Sequence, residues 1–409
     1  MTTSGTVPEN LQVLFAALDA TRAEREELYT WFHQHPELSM QEEHTAARVK
    51  EELRAYGCAV LSLAGTGRVG ILRNGDGPTV LFRADMDALP IAEDSGLEYA
   101  VAKERGLMHA CGHDFHTACL LGATRAYAAH PEAWSGTLIA LFQPGEEAGG
   151  GAQKMVDDGL ADKIPQPDVA LAQHVGPFAP DYAMTTRPGA LMAEATNWKI
   201  TVYGRGGHGS QPHLSTDAVV LAANIITRLQ TVIAREFDPQ QMGILTVGSV
   251  HAGASSNSIA ESAQLGINTR AMSPEATEQI VAALKRIVRA ECLASQSPRE
   301  PEFELLDAVP PVRNDESTTA RVVDSFTEFF GADAVYGDMA PLTGSEDFSI
   351  IPHALSVPYC YWCWGGFPAT EAAPANHSPA FNPALQPTLD TGTRYAIAGI
   401  GIWLAQARD

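Results

Sequence analysis

The ten residues MHACGHDFHT (108–117) bring together Cys111, three imidazoles (His109, His113, His116) and Asp114. A thiol among histidines is compatible with three arrangements: a cysteine nucleophile with a histidine base, part of a metal site, or a polar cluster in a buried turn. The first needs Cys111 beside His113 or His116 as its base. The second needs further donors from distant parts of the chain, and these exist. FQPGEE ends in Glu146 and Glu147, PDVALAQHV ends near His174, RADMDALP carries Asp85 and Asp87, and NHSPAFNP carries His377. Adjacent residues of an extended chain face opposite sides, so Glu146 and Glu147 can take separate tasks, one toward a metal and one toward a substrate. Thiolate, imidazole and carboxylate together suit zinc, or manganese, cobalt or nickel.

The elements that must position these groups follow from periodicity. QEEHTAARVKEELRAYG (41–57) has helical spacing and stops at Gly57. Short β-type runs follow (AVLSLA, VGILRN, TVLFRADMDALP), then a buried helix in TACLLGATRAYAAH and strands in GTLIALFQPGEE and PDVALAQHV. This alternation predicts an α/β domain with a mixed, largely parallel sheet flanked by helices. Asp85, Asp87, Glu146, Glu147 and His174 all fall at strand ends, where such sheets gather their ligands. GTGRVG (65–70) matches the dinucleotide-binding pattern but leads into another strand, so it reads as a hairpin turn.

The middle of the chain runs β-α-β-β-α-β, the ferredoxin-like order. Its elements are WKITVYG, the helix 215–236, GILTVGSVHAG, SAQLGINTRA, the helix from SPEATEQ and EPEFELLDAV. We read an inserted lid or dimerisation domain at 191–306, within a discontinuous catalytic domain formed by 1–190 and 307–409. WKITVYG is expected to lie at the sheet edge, free to pair with a second copy. After the insertion, STTARVVDSFTEFF reads as helix, LSVPYCYWCW as extended and TGTRYAIAGIGIWLAQ as a closing helix.

Composition limits the partners. The 409 residues exceed what one core usually serves, and 45% hydrophobic with 19% charged residues is ordinary for a globular chain. A net charge of −22 argues against nucleic acid and anionic membranes. No signal peptide and no run long enough to span a bilayer is expected. Six irregularly spaced cysteines point to a reduced, cytoplasmic setting. The pair Cys360 and Cys363 lies in an aromatic strand and reads as buried structural thiols. The expected partner is a small molecule.

HQHPEL, RADMDALP, MHACGHDFHT, FQPGEE, GRGGHGSQP, SEDF and HSPAF occur in an order that resembles the co-catalytic metallopeptidases of the aminoacylase and carboxypeptidase G type. The likeness spans nearly the whole chain. It is greatest to the amidohydrolase branch: hippurate hydrolases, N-acetyl-diaminopimelate deacetylases and auxin-conjugate hydrolases. The resemblance implies hydrolysis of the amide bond of N-acyl-L-amino acids with two divalent ions, zinc or manganese first and cobalt or nickel next. The implied metal ligands are Cys111, His113, Glu147, His174 and His377. Glu146 matches the catalytic carboxylate and Asp87 the acid that orients the ligands. His208 matches a donor to the oxyanion, and Asn257 and Arg270 are candidates for the substrate carboxylate. Relatives outside the branch carry histidine where this chain has Asp85, and a bridging aspartate where it has Cys111. A homodimer through the inserted domain, with His208 reaching the partner's site, is also implied. Of the remaining histidines, His33 and His35 are expected to set the local fold, and His109 and His116 to fix ligand tautomers. Three alternatives stay open: a dipeptidase or aminopeptidase, a Cys111 amidase, and a metal-dependent binding protein without catalysis.

Overall fold

A computed structural model describes residues 7–148, 150–369 and 372–405. The chain divides into two compact units. One comprises Met1–Gly189, Asn314–Ala340 and Asp347–Asp409; the other comprises Ala190–Arg313 and Pro341–Glu346.

The first unit is an α/β layer. Its eight-stranded sheet runs in the order Ala59–Leu63, Gly67–Asn74, Gly136–Gln143, Thr79–Asp85, Val169–Gly176, Tyr359–Gly365, Met184–Thr185, Val335–Tyr336. The four middle strands, from Gly136–Gln143 to Tyr359–Gly365, are mutually parallel, and antiparallel pairs lie outside them. Central parallel strands are covered on both faces, which is why Gly136–Gln143 is buried along its whole length. Because these four strands point the same way, Asp85, Gln143, Gly176 and Gly365 all end on one side. GTGRVG forms the turn and start of the antiparallel pair Ala59–Leu63 and Gly67–Asn74.

Helix His113–Ala129 lies beneath that side, and solvent reaches only Arg125 and its last two residues. Phe115, Leu120, Leu121 and Tyr127 are buried. Each such side chain contributes about 1.5–3 kcal/mol on burial. Gly122 allows the close approach, since a Cβ there would sit 2.9 Å from Arg25 Cδ and 3.1 Å from Thr393 Cγ2. The helix start is therefore fixed to the core. That start carries His113.

The second unit is ferredoxin-like. Its four-stranded antiparallel sheet runs Gly243–Ala252, Ser262–Ala271, Glu194–Tyr203, Glu302–Val309. Helices Ala218–Thr231 and Pro274–Ala294 share its core through Leu221, Ile225, Ile280 and Leu284, against Ile200, Leu265 and Ile267. Asp217 and Ser273 cap the two helices by accepting backbone N–H bonds. The WKITVYG strand is not an edge: it pairs on both sides, and the edges are Gly243–Ala252 and Glu302–Val309. Burial on alternate residues marks a sheet face, but strand order is decided by tertiary pairing. The helical stretch Ala218–Glu236 is also apolar enough over its 19 residues to cross a membrane, by length and composition, contrary to the sequence expectation. In the fold, Leu221, Ile225 and Leu229 turn one face of it into the unit's core.

Candidate metal centre

The loop before helix His113–Ala129 turns at Gly112, whose φ of +82° lies in the left-handed region that glycine adopts most readily. A Cβ at Gly112 would lie 2.2 Å from Val175 Cγ1, so the loop packs directly on the strand carrying His174. The result is a thiol beside an imidazole: Cys111 Sγ lies 3.4 Å from His174 Nε2. Donor atoms of Cys111, His113 and Glu147 lie within 4.8 Å of one another, as do those of Asp85, His113, His116 and His174. The C-terminal loop joins them. The His377 N–H donates to the Ala110 carbonyl at 2.8 Å, and His377 Nε2 lies 3.2 Å from Glu147 Oε1. All five metal candidates from the sequence are thus brought together in the first unit.

Each imidazole is oriented through its other nitrogen. His113 Nδ1 faces Asp87 Oδ1 at 3.2 Å, and His174 Nδ1 donates to the Val175 carbonyl at 2.8 Å. This leaves both Nε2 atoms directed at the cluster. His113 Nε2 and Glu147 Oε1 are buried and find no well-formed hydrogen bond among the described residues. Asp87 also accepts from Ser39 Oγ at 2.6 Å and from the Glu147 N–H at 2.9 Å. Burial would raise the Asp87 pKa, but these hydrogen bonds, first that to His113, hold it below the ordinary range. His113 is the reverse case. Burial would lower its pKa, yet the charge of Asp85 and the bond to Asp87 raise it well above 6.5. The pocket is short of positive charge, which a proton on Nε2 or a divalent cation supplies. Burial also pushes the Cys111 thiol up to about 12 and, with the nearby His116, drops His174 well below its usual value. Burial of this kind disfavours the thiolate that nucleophilic attack requires. A soft thiol, three imidazoles and one carboxylate fit a divalent transition-metal ion.

His116 and Asp85 face the cluster but are committed elsewhere. His116 Nδ1 lies 2.5 Å from Asp85 Oδ1, and its Nε2 accepts the Val175 N–H at 2.9 Å. Asp85 Oδ2 accepts from Arg83 Nη1 at 2.7 Å. Arg83 continues to Gln143 Oε1 at 2.9 Å and to Asp347 Oδ1 at 3.3 Å, tying two strand ends to Asp347. Arg83 opens RADMDALP and Asp347 lies in SEDF, but neither motif announces their pairing. A second buried network holds Asp114: His33 bonds Asp114 Oδ2 at 2.8 Å and Glu93 Oε1 at 3.1 Å. His33 is the partner expected to set local structure. Among the described residues, His109, expected to fix a tautomer, has no hydrogen-bond partner for either ring nitrogen. Asn376, the first residue of NHSPAFNP, brings its Nδ2 to 3.5 Å from Cys111 Sγ, a contact that the stretch does not announce.

Glu146 is half-buried in the turn after strand Gly136–Gln143, next to Glu147. The other candidates belong to the second unit. His208 is exposed and pairs across a two-stranded ribbon with Ser258, while the Gly209 N–H donates to the Asn257 carbonyl at 2.8 Å. His208 and Asn257 are therefore neighbours. Arg270 lies on the sheet, with Nη1 donating to the Thr343 carbonyl at 2.9 Å.

A profile of Peptidase family M20/M25/M40 matches residues 81–398. An N-acetyl-L-cysteine deacetylase of Bacillus subtilis is 36% identical over 322 residues, covering 78% of this chain and 74% of that protein. A hippurate hydrolase of Campylobacter jejuni is 33% identical over 342 residues, 83% of this chain and 88% of its own length. Among solved structures, the YXEP protein of Bacillus subtilis, a dinuclear metal binding peptidase from the M20 family, superposes with a TM-score of 0.77. It is 26% identical, and the match covers 94% of this chain and 99% of that one. With the match running from the Thr79–Asp85 strand into the last helix, the chain belongs to Peptidase family M20/M25/M40.

Proposed function

We propose that this protein is a metal-dependent amidohydrolase that cleaves the amide bond of N-acyl-L-amino acids, releasing a carboxylate and a free amino acid. One observation carries the reading: two imidazoles, His113 and His174, have Nδ1 engaged and Nε2 directed into a cluster with Cys111 and Glu147. The names of the deacetylase and hippurate hydrolase relatives support the substrate class.

Cys111, His113, Glu147, His174 and His377 would hold two divalent cations, zinc or manganese first and cobalt or nickel next. The chemistry supplied there when bound would be a lowered pKa for a water and polarisation of the amide carbonyl. Asp87 keeps the His113 ring and the Glu147 backbone in place. Asp85 is not a ligand in this reading, because its oxygens are engaged with His116 and Arg83. Glu146 accepts the proton of the attacking water and delivers it to the leaving amine. His208 donates to the tetrahedral oxyanion, and Asn257 and Arg270 hold the substrate carboxylate. The inserted domain serves as lid and as the surface of a homodimer, for which the edge strands Gly243–Ala252 and Glu302–Val309 are available. Six free cysteines agree with a reducing, cytoplasmic setting.

The test is turnover of N-acetyl, N-benzoyl and indole-acetyl amino acids and of dipeptides, after chelation and after return of each metal. Activity on acyl amino acids that vanishes with chelator and returns with metal is expected. Preference for dipeptides moves the reading to a dipeptidase. Activity that survives chelator but not alkylation moves it to a Cys111 amidase, and metal binding without turnover to a binding protein.

A further inference from the structure

The second unit's sheet has an apolar face under the helices and a polar face. Along Ser262–Ala271, residues 263, 265, 267, 269 and 271 are buried, while Gln264, Gly266, Asn268 and Arg270 alternate with them. On the polar face a continuous hydrogen-bond chain crosses three strands. Arg270 Nε donates to Asn268 Oδ1 at 3.1 Å, Asn268 Nδ2 donates to Asn197 Oδ1 at 2.9 Å, and Asn197 Nδ2 donates to Asp307 Oδ1 at 2.8 Å. Every amide donates in the same direction, and the chain ends on a carboxylate, which can only accept. Asn268, Asn197 and Asp307 stand directly opposite one another in register.

That register depends on an irregularity. Leu305 pairs with Trp198, but the next pairing is Asp307 with Asn197, so Leu306 is an extra residue. Without it, Leu306 would face Asn197 and Asp307 would fall opposite Thr196, on the other face of the sheet. A bulge re-aims side chains in this way. Here it moves an acid onto the polar face, where the chain from Arg270 terminates.

We propose that Asn268, Asn197 and Asp307 are positioning residues for Arg270, and that the bulge at Leu306 exists to complete their relay. The relay and the Thr343 carbonyl engage Nε and one Nη1 N–H. Among the described residues the remaining three guanidinium N–H groups make no hydrogen bond, and they form the side offered to a ligand carboxylate. Fixing the guanidinium plane beforehand removes the ordering that a bidentate contact otherwise requires. The inference rests on the reading of Arg270 as the substrate-carboxylate group.

The experiment compares N-benzoylglycine with its carboxamide, N-benzoylglycinamide, in the metal-loaded full-length enzyme. The pair N-acetylmethionine and its carboxamide is run alongside. Arg270→Ala should raise KM for the acid at least about 10-fold more than for the carboxamide. Asn197→Leu and Asp307→Leu should do the same to a smaller extent, about 3- to 10-fold in KM with kcat preserved, as expected for one lost hydrogen bond. Asp307→Asn, which can still accept from Asn197, should restore the wild-type KM. If Arg270→Ala fails to separate acid from carboxamide, the carboxylate reading of Arg270 is wrong. If Arg270→Ala separates them but Asn197→Leu and Asp307→Leu do not, the relay is wrong. Equal losses on both substrates in the relay variants, without rescue by Asp307→Asn, assign them to the fold and overturn the proposal.

Discussion

Asp87 touches His113 and Glu147 by different routes, taking the His113 ring at 3.2 Å through Oδ1 and the Glu147 N–H at 2.9 Å through Oδ2. One carboxylate thus sets the aim of two metal candidates. Asp87→Asn places an amide N–H against one of those donors whichever way it is turned. Metal affinity should fall about 10- to 100-fold, the usual effect of losing a group that orients a ligand. Metal titration of the apo-protein measures this, and unchanged affinity would remove Asp87 from its role.

The paired acids should separate. Glu146→Gln should keep its metal and lose turnover by at least about 10²–10⁴, because an amide cannot shuttle the proton. Glu147→Gln should lose metal. Elemental analysis of both purified proteins decides, and equal metal loss in the two contradicts the division of tasks.

His33 predicts a pH dependence of stability. Burial would lower its pKa, but the hydrogen bonds to Asp114 and Glu93 win and raise it from 6.5 to about 9. A folded value above the unfolded one means that protonation favours the fold. The contribution is complete below about pH 6.5 and is lost as pH rises through about 9. Its size is roughly 3 kcal/mol at most. Urea unfolding of the wild type and of His33→Gln should differ most in mildly acidic solution below about pH 6.5 and converge at alkaline pH. A gap independent of pH would mean that the imidazolium charge is not what stabilises the network.

If His208 acts in the neighbouring subunit, two dead proteins can make a live one. Mixing Glu146→Gln with His208→Ala under subunit exchange pairs the intact Glu146 of one chain with the intact His208 of the other. Activity should reappear. Proven exchange without recovery rules out the shared site.

The catalytic unit was legible because its chemistry lies at strand ends, where short motifs such as FQPGEE and RADMDALP keep residue and position together. The βαββαβ order of the second unit was legible from periodicity. What lay beyond reach was set by pairing across long distances. Arg83 and Asp347 are 264 positions apart, and neither has a local pattern that announces the other. WKITVYG alternates as any half-buried strand does, so its central place had no signal. The extra Leu306 is likewise invisible until its partner strand is laid beside it.

Gly112 gives a last consequence. Its missing methyl group is what lets the Cys111 loop settle onto Val175, and His174 is the neighbour of Val175 on the same strand. The gap between a sulfur and a nitrogen from separate elements is thereby calibrated by the absence of one carbon atom. A gap gauged in this manner would make radius, as well as chemical softness, a factor in which cation the cluster takes. Gly112→Ala should widen the gap and shift competitive loading from zinc toward the larger manganese ion. The most economical dial for metal choice in this protein is then a residue that offers no ligand at all.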